Sequence, residues 1–569
     1  MATDERPWLK YYDGIRADID VPDKTMYEWL SDTATAGPDY PAVLFLGTRI
    51  NYVDLMPLVD RCASALARQG VSCGDSVLVC LPNIPNVVVL FYALNKLGAR
   101  AVMTHPLSSA DELKHYATQT NAHWSVGVDM FLDRLSPVLD LPGMNSLVVC
   151  SISDYLGAFM TLGYKLTKGR QVDAVPTGNP AITTWAAFMK TGDQVTPYTR
   201  LADPGQGSAV LFSGGTTSLP KGIELSSHAF NALAASMIEQ IKIGPGQSVL
   251  AIMPAFHGFG LGLCIHSTLM SGATSILVPE VGTKSYVDAL IKHKPNHIAG
   301  VPTLFQALLG LPDFDKVDFS QLHGAYAGGD SLTPDLKRRF DAALAARGSK
   351  VELVEGYGLT ECVTASVLSP AGHYRVGSIG VPIPGMRAMI VAPGTTDELP
   401  YGSEGEICMA GETLMTCYIN DEEATANTLR HHDDGRLWLH TGDLGSMDAD
   451  GFLYFSGRIK RIIKVSGVSV YPAQVEQLLG DHPGVKEACV IGIPDDYQMS
   501  SVKAFIVPAD GYSGDTALAE DIKAYAREHL MKWSVPRHIE FRESLPHTLV
   551  GKVAYTELMD EEAAKANGH

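Results

Sequence analysis

The segment Leu211-Phe212-Ser213-Gly214-Gly215-Thr216-Thr217-Ser218-Leu219-Pro220-Lys221-Gly222 concentrates the residue types that hold an anion. Gly214 and Gly215 let backbone amides approach a ligand closely. The hydroxyls of Ser213, Thr216, Thr217 and Ser218 stand beside them, and Lys221 follows. These are the parts of a phosphate cradle. It is not a Walker loop, because G-x-x-x-x-G-K-[ST] is absent. A Gly/Thr/Ser loop alone is commonly just a loop. The apolar strand before this one and the Pro-Lys-Gly after it favour the functional reading.

The elements that must position such a loop can be read from the rest of the chain. The 569 residues are 46% hydrophobic and 19% charged, which excludes a disordered polymer and leaves ample material for a large core. At roughly 150 residues per domain the length suggests three or four compact units. The formal charge of −19 makes a general polyanion binder a poor reading, so no nucleic-acid partner is expected. The 9 cysteines are widely spaced with no CxxC, which argues against a zinc site or a disulfide framework and for a reducing compartment. The N-terminus shows no secretory pattern. The most apolar stretch, Val77 to Leu94, is interrupted by Pro82, Asn83, Pro85 and Asn86. A cytoplasmic protein is expected.

Ser76 to Leu81 reads as a buried strand and Val87 to Leu97 as a helix stopped by Gly98. Ala101-Val102-Met103 then resumes a strand, making a βαβ unit. Ser151 to Asp193 breaks that rhythm with an amphipathic stretch ending at Lys168-Gly169-Arg170, lying on the body or on a lipid surface. Beyond Gly385, Met386 to Val391 and Glu406 to Met409 look antiparallel. After Arg458 a small α+β unit follows, with a helix from Pro472, strands at 489–493 and 502–507, and a helical stripe of Ile522, Tyr525, Ala526 and His529.

At the 211–222 loop the chain resembles the adenylate-forming superfamily, which contains acyl-CoA synthetases, peptide adenylation domains and firefly luciferase. The family usually has Gly where Ser218 stands, and a serine there stiffens the loop. Gly356-Tyr357-Gly358-Leu359-Thr360-Glu361 resembles the second family signature residue for residue. The likeness implies that Tyr357 stacks on adenine, Thr360 contacts the α-phosphate, and Glu361, with Thr216, contacts Mg²⁺. An aromatic face suits a purine and a hard carboxylate suits magnesium. Gly328-Gly329-Asp330 resembles the strand end bordering the nucleotide and acyl pockets, and His257 the histidine at the pocket mouth, with a gating role and not proton transfer. In His440-Thr441-Gly442-Asp443-Leu444-Gly445, an Asp in a glycine turn can accept two hydrogen bonds from a ribose diol, and Arg458 can donate to the same sugar or to phosphate. The family uses the matching pair that way. Lys460 occupies the hinge position, Gly467 the segment that lines the thiol channel after rotation, and Lys552, in Leu545 to Val553, the place of the catalytic lysine.

The resemblance, which covers residues 211 to 552, implies an α/β fold. A large adenylate-forming body, residues 1–459, would hold two αβα subdomains and a distorted β-barrel. A small hinged α+β domain, residues 460–569, would carry Lys552. It implies ATP, Mg²⁺ and coenzyme A, and an acid–thiol ligase working through acyl-AMP. The opening Trp8-Leu9-Lys10-Tyr11-Tyr12 and the 151–193 insertion resemble bacterial long-chain fatty acyl-CoA ligases. Phe256, Phe259, Leu261, Val301, Leu304 and Phe305 would suit an acyl chain. A medium- to long-chain fatty acid is the favoured substrate. Aryl or sterol side-chain acids, and an acyl carrier protein as acceptor, are the alternatives. The partners expected are a small-molecule carboxylate and CoA, with peripheral contact at the inner face of the membrane and a homodimer left open.

Overall fold

The computed structural model describes residues 6–166, 175, 178–193, 202–212, 220–280, 282–466, 468–495, 499–547 and 553–567. Two mixed sheets, each covered by helices, form most of the body. The first runs, in spatial order, 417–418, 222–226, 207–212, 100–103, 76–80, 122–128, 146–150 and 182–184. Its centre is parallel, and Ser76–Cys80 is buried at every position, as a strand covered on both faces must be. The expected βαβ unit is present. Helix Pro85–Leu97 begins with proline and ends on Gly98 in the left-handed conformation (φ 71°), and Arg100–Met103 lies parallel to Ser76–Cys80. This helix is buried nearly all round because one large core reaches it from both sheets.

The second sheet has nine strands, with parallel neighbours 248–251, 297–300, 324–328 and 353–358 at its working end. A third, antiparallel sheet contains Met386–Val391, Gly405–Gly411, Leu437–Met447, Leu429–His431 and Leu453–Arg458. After the short 3₁₀ turn Ile459–Arg461, a hairpin (463–465, 468–470), a three-stranded sheet and helices Pro472–Gly480, Thr516–His529 and Tyr555–Asn567 gather around cores of their own. The helical stripe of 516–529 is Leu518, Ile522 and Ala526; His529, expected on it, is exposed.

Within the 151–193 stretch the described helices are Ala158–Leu166 and Trp185–Thr191, and the first turns Met160, Leu162 and Leu166 outward at 48%, 57% and 54% exposure. Lys168, Gly169 and Arg170 lie outside the described residues. Asp443 sits within the continuous strand Leu437–Met447 rather than in a turn; Gly442 (φ 70°) marks the irregularity in that strand. All nine cysteines are free. Among the described residues no helix is long and apolar enough to cross a membrane.

One local feature had no sequence signal. Phe259–Ser267 is a π-helix, a form that proteins mostly confine to single bulges. It lies against Val363, which has φ 64° and ψ −58° and closes a strained γ-turn from Thr364 N to Cys362 O, 2.7 Å. A Cβ at Gly258 would fall 1.6 Å from Val363 O, and one at Gly262 2.8 Å from Val363 Cγ1. Only glycines permit this approach. Gly258→Ala is therefore expected to cost about 1–3 kcal/mol or more, read as a lowered midpoint in denaturant unfolding. An unchanged midpoint would show that the π-helix can move away from the γ-turn without penalty.

Candidate active site

Parallel strands 297–300, 324–328 and 353–358 end side by side, with Gly300 opposite Ala327 and Gly328 opposite Gly356. Their carboxyl ends open a crevice of the kind in which α/β sheets bind ligands. There Gly328 faces Gly356 O and Phe259: a Cβ would stand 3.1 and 3.6 Å from them. Gly329, at φ 85°, faces Val301 Cγ1 at 3.5 Å by the same measure. Asp330 follows, exposed, and its Oδ1 accepts from Ser331 N at 2.8 Å.

The first sheet fixes the opposite lip. Asn83 is 3% exposed; its Nδ2 donates to Ala251 O and Met253 O, both at 2.9 Å, and its Oδ1 accepts from Ala255 N at 2.8 Å. This holds the loop that presents Phe256 and His257. The Phe256 ring lies 4.3 Å from the His105 ring, centre to centre. His257 Nδ1 accepts from Phe259 N at 3.2 Å, which leaves the ring proton on Nε2. Leu304 and Phe305 pack in the core behind the second sheet, and Leu261, like Phe259, in the main core. A small cavity is lined by Met237, Ile241, Leu263, Ala299, Tyr326 and His297.

Tyr357, Asp443 and Arg458, from two different sheets, meet. The Tyr357 hydroxyl donates to Asp443 Oδ2 at 2.7 Å, and Arg458 Nε stands 3.2 Å from Asp443 Oδ1. Asp443 and Arg458 are cross-strand partners. Asp443 is 2% exposed, while the Arg458 side chain is half-exposed. Burial, then the Asp443 charge, pushes the Tyr357 phenol well up, so it remains a donor. An ionised carboxylate has about four lone-pair sites, so Asp443 keeps acceptor capacity beyond these two contacts.

A second tether crosses between the sheets. Glu361 Oε1 accepts from the Tyr418 hydroxyl at 2.8 Å, next to Thr360 at the start of a 3₁₀ turn. Lys221 Nζ lies 2.9 Å from Asp421 Oδ2 and 4.9 Å from the centre of the Tyr418 ring. Asp421 Oδ1 caps helix Glu422–Thr428 through Ala424 N at 2.9 Å. Lys221 holds the Asp421 carboxyl below its ordinary range. Tyr418 and Asp421 escaped the sequence reading because no motif spacing marks them.

Ser213, Gly214, Gly215, Thr216 and Thr217, together with Gly467 and Lys552, lie outside the described residues. Their described neighbours do pair: Phe212 with Gly222, and His547 with Val553, both antiparallel. Lys460 is exposed in the Ile459–Arg461 turn, and Arg461 beside it binds Glu476 at 2.5 Å.

Comparison with known proteins agrees with this arrangement. The profile of the AMP-binding enzyme family matches residues 30–419, and that of the AMP-binding enzyme C-terminal domain matches residues 474–552. A long-chain-fatty-acid–CoA ligase of Bacillus subtilis (strain 168) is 33% identical over 569 residues, covering 98% of each chain. A protein of the same description from Salmonella typhimurium is 30% identical over 99% of each. An anthranilate CoA ligase solved with anthranoyl-AMP superposes with a TM-score of 0.82 at 24% identity, over 96% of this chain and 99% of its own.

One buried acid beside the site titrates. Glu355, 6% exposed, precedes Gly356 and Tyr357, and its Oε1 accepts from Leu332 N at 3.0 Å. Burial raises its carboxyl from 4.5 to about 7, with Asp330 adding to the rise. Below 4.5 both folded and unfolded chains hold the proton. Between 4.5 and about 7 only the folded chain holds it, so this group's contribution to stability falls as pH rises and is constant above that window. Glu355→Gln keeps the acceptor and removes the ionisation. Its stability relative to the parent chain is expected to grow by up to about 3 kcal/mol across that window, measured by urea unfolding at a series of pH values. Parallel profiles would mean that Glu355 is not buried as a neutral acid.

Proposed function

The chain belongs to the AMP-binding enzyme family, and on that premise we propose that it is an AMP-forming acyl-CoA ligase for medium- to long-chain fatty acids. The observation that carries this reading is the meeting of Tyr357, Asp443 and Arg458 beside the apolar wall of Phe259, Val301, Gly328 and Gly329. A nucleoside and an apolar carboxylate would then lie side by side at the strand ends. Curated relatives along the whole chain carry the same fatty-acid description.

In the first half-reaction the substrate carboxylate oxygen attacks the α-phosphorus of ATP, and pyrophosphate leaves. Charge gathers on the phosphoryl oxygens, so cations and oriented donors are what the chain must supply. Thr360, the 213–217 loop with Lys221, and Lys552 take that role. Asp443 and Arg458 hold the ribose, and the pinned ring of Tyr357 gives adenine a fixed face. Glu361 has one oxygen engaged by Tyr418, and a carboxylate is the kind of hard oxygen ligand that suits Mg²⁺. When bound, that ion would neutralise phosphate charge. In the second half-reaction the thiol of CoA attacks the acyl carbonyl and AMP departs. No protein nucleophile is required, and burial raises most of the thiols, Cys62, Cys80, Cys150 and Cys362 among them.

The division of labour follows from a domain boundary at residues 459 and 460. Rotation about Lys460 would withdraw Lys552 after adenylation and bring the Gly467 segment to the adenylate. The outward Met160, Leu162 and Leu166 suit peripheral contact with the inner face of a membrane, the phase in which such acids dissolve.

Lys552→Ala is expected to abolish acid-dependent pyrophosphate exchange while largely sparing thioester formation from supplied acyl-AMP; equal loss of both steps would contradict the division. A carboxylate panel with ATP, Mg²⁺ and CoA, read by mass spectrometry, tests the substrate. Thioesters of medium- and long-chain acids are expected. Aryl or sterol acids as the best substrates, or transfer to a carrier protein but not to CoA, would replace the fatty-acid ligase reading with one of those activities.

A further inference from the structure

The third sheet carries a cluster that the proposed reaction does not use. Cys408, on strand Gly405–Gly411, is the cross-strand partner of His440 on Leu437–Met447, so both side chains leave the same face. His432 follows strand Leu429–His431, which pairs with the other side of Leu437–Met447. The three are buried, at 0%, 7% and 6% exposure. The Nε2 atoms of His432 and His440 face each other at 2.9 Å, and one donor atom from each residue, including Cys408 Sγ, lies within 4.8 Å of the others.

The surroundings are those of a ligand set. His440 Nδ1 donates to Glu406 Oε2 at 3.0 Å, which fixes the tautomer and turns the Nε2 lone pair toward His432. His432 Nε2–H then donates to that lone pair, and His432 Nδ1 has no hydrogen-bond partner among the described residues, so Nδ1 is open to take the ring proton. Trp438 stacks on His432 with ring centres 5.5 Å apart, and Val391, Ala410 and Met389 complete an apolar shell. A surface hollow is lined by Met389, Asp434, Arg436 and Trp438, and the side chains of Cys408, His432 and His440 are themselves closed off from it.

We propose that Cys408, His432 and His440 hold one divalent ion of the zinc class, clipping three strands of the third sheet together, with Glu406 as the carboxylate behind His440. Two nitrogens on a tetrahedral zinc stand roughly 3.3 Å apart, and a sulfur and a nitrogen roughly 3.6 Å. The observed spacings therefore need to change by at most about 1.2 Å. A mixed thiolate and imidazole set selects a borderline or soft ion over magnesium or calcium. Binding forms one metal–sulfur and two metal–nitrogen bonds, leaving the fourth position to water. The Cys408 thiol loses its proton to solvent, and the His432 proton moves to Nδ1. Glu406 Oε1 also accepts from Gly442 N at 2.9 Å, so the clip would stiffen the peptide that leads into Asp443. Cysteine spacing pointed away from zinc because these ligands come from separate strands and a hairpin.

The test is a cobalt(II) titration of the full, untagged chain after chelator treatment, with circular dichroism confirming that it stays folded. About one equivalent should bind, with a thiolate-to-cobalt charge-transfer band and release of about one proton per ion. Cys408→Ser should lose the band, and Glu406→Gln should weaken affinity about 10- to 100-fold. If those variants fail to fold, the titration of the parent chain decides alone. No stoichiometric binding by the folded chain, or cobalt bound without the thiolate band, would leave the two histidines as a hydrogen-bonded pair and overturn the proposal.

Discussion

A single buried carboxylate joins the sheets at the site. Asp443 is almost fully removed from water, yet it takes one hydrogen bond from the Tyr357 hydroxyl and faces the Arg458 guanidinium. Removing a partner leaves the buried charge less compensated, a cost that water around the half-exposed Arg458 reduces. That penalty obliges strand 353–358 of the second sheet and strands 437–447 and 453–458 of the third to stay in register with one another. The Tyr418–Glu361 bond does the same between the first and second sheets, with a neutral donor and therefore less at stake.

Much of this was legible in the sequence, and what was not has physical reasons. The βαβ start could be read because Ser76–Cys80 is a buried run and Gly98 stops the helix at a left-handed cap. Tyr357, Asp443 and Arg458 stood out through their glycine neighbours and their family order. Their mutual contact could not be read, since it depends on how two sheets are placed. Tyr418, Asp421 and Asn83 carry no spacing signal; each matters through one or two bonds across long stretches of chain. Apolar residues beside a strand end, such as Leu304 and Phe305, serve a core as readily as a pocket, so their type alone does not separate the two roles.

The strained turn at Val363 shows local preference giving way to tertiary demand. A β-branched residue at positive φ is disfavoured by its own backbone. It persists because the side chain is fully buried and glycines at 258 and 262 let a π-helix close over it. The strain lies two residues from Glu361, and the glycines flank the start of the helix that His257 introduces. The two lips of the crevice are thus braced against each other through backbone contact, with little room for either to shift alone.

Only Ile459 separates Arg458 from Lys460. If the proposed hinge lies at Lys460, a torsion change there would begin two residues from the guanidinium that faces Asp443. Thermodynamic reciprocity then applies: whatever bound molecule engages Arg458 in one orientation of the C-terminal unit more strongly than in another must bias that orientation by the same factor. Occupancy of the crevice and the angle of the smaller unit would be two readings of one equilibrium.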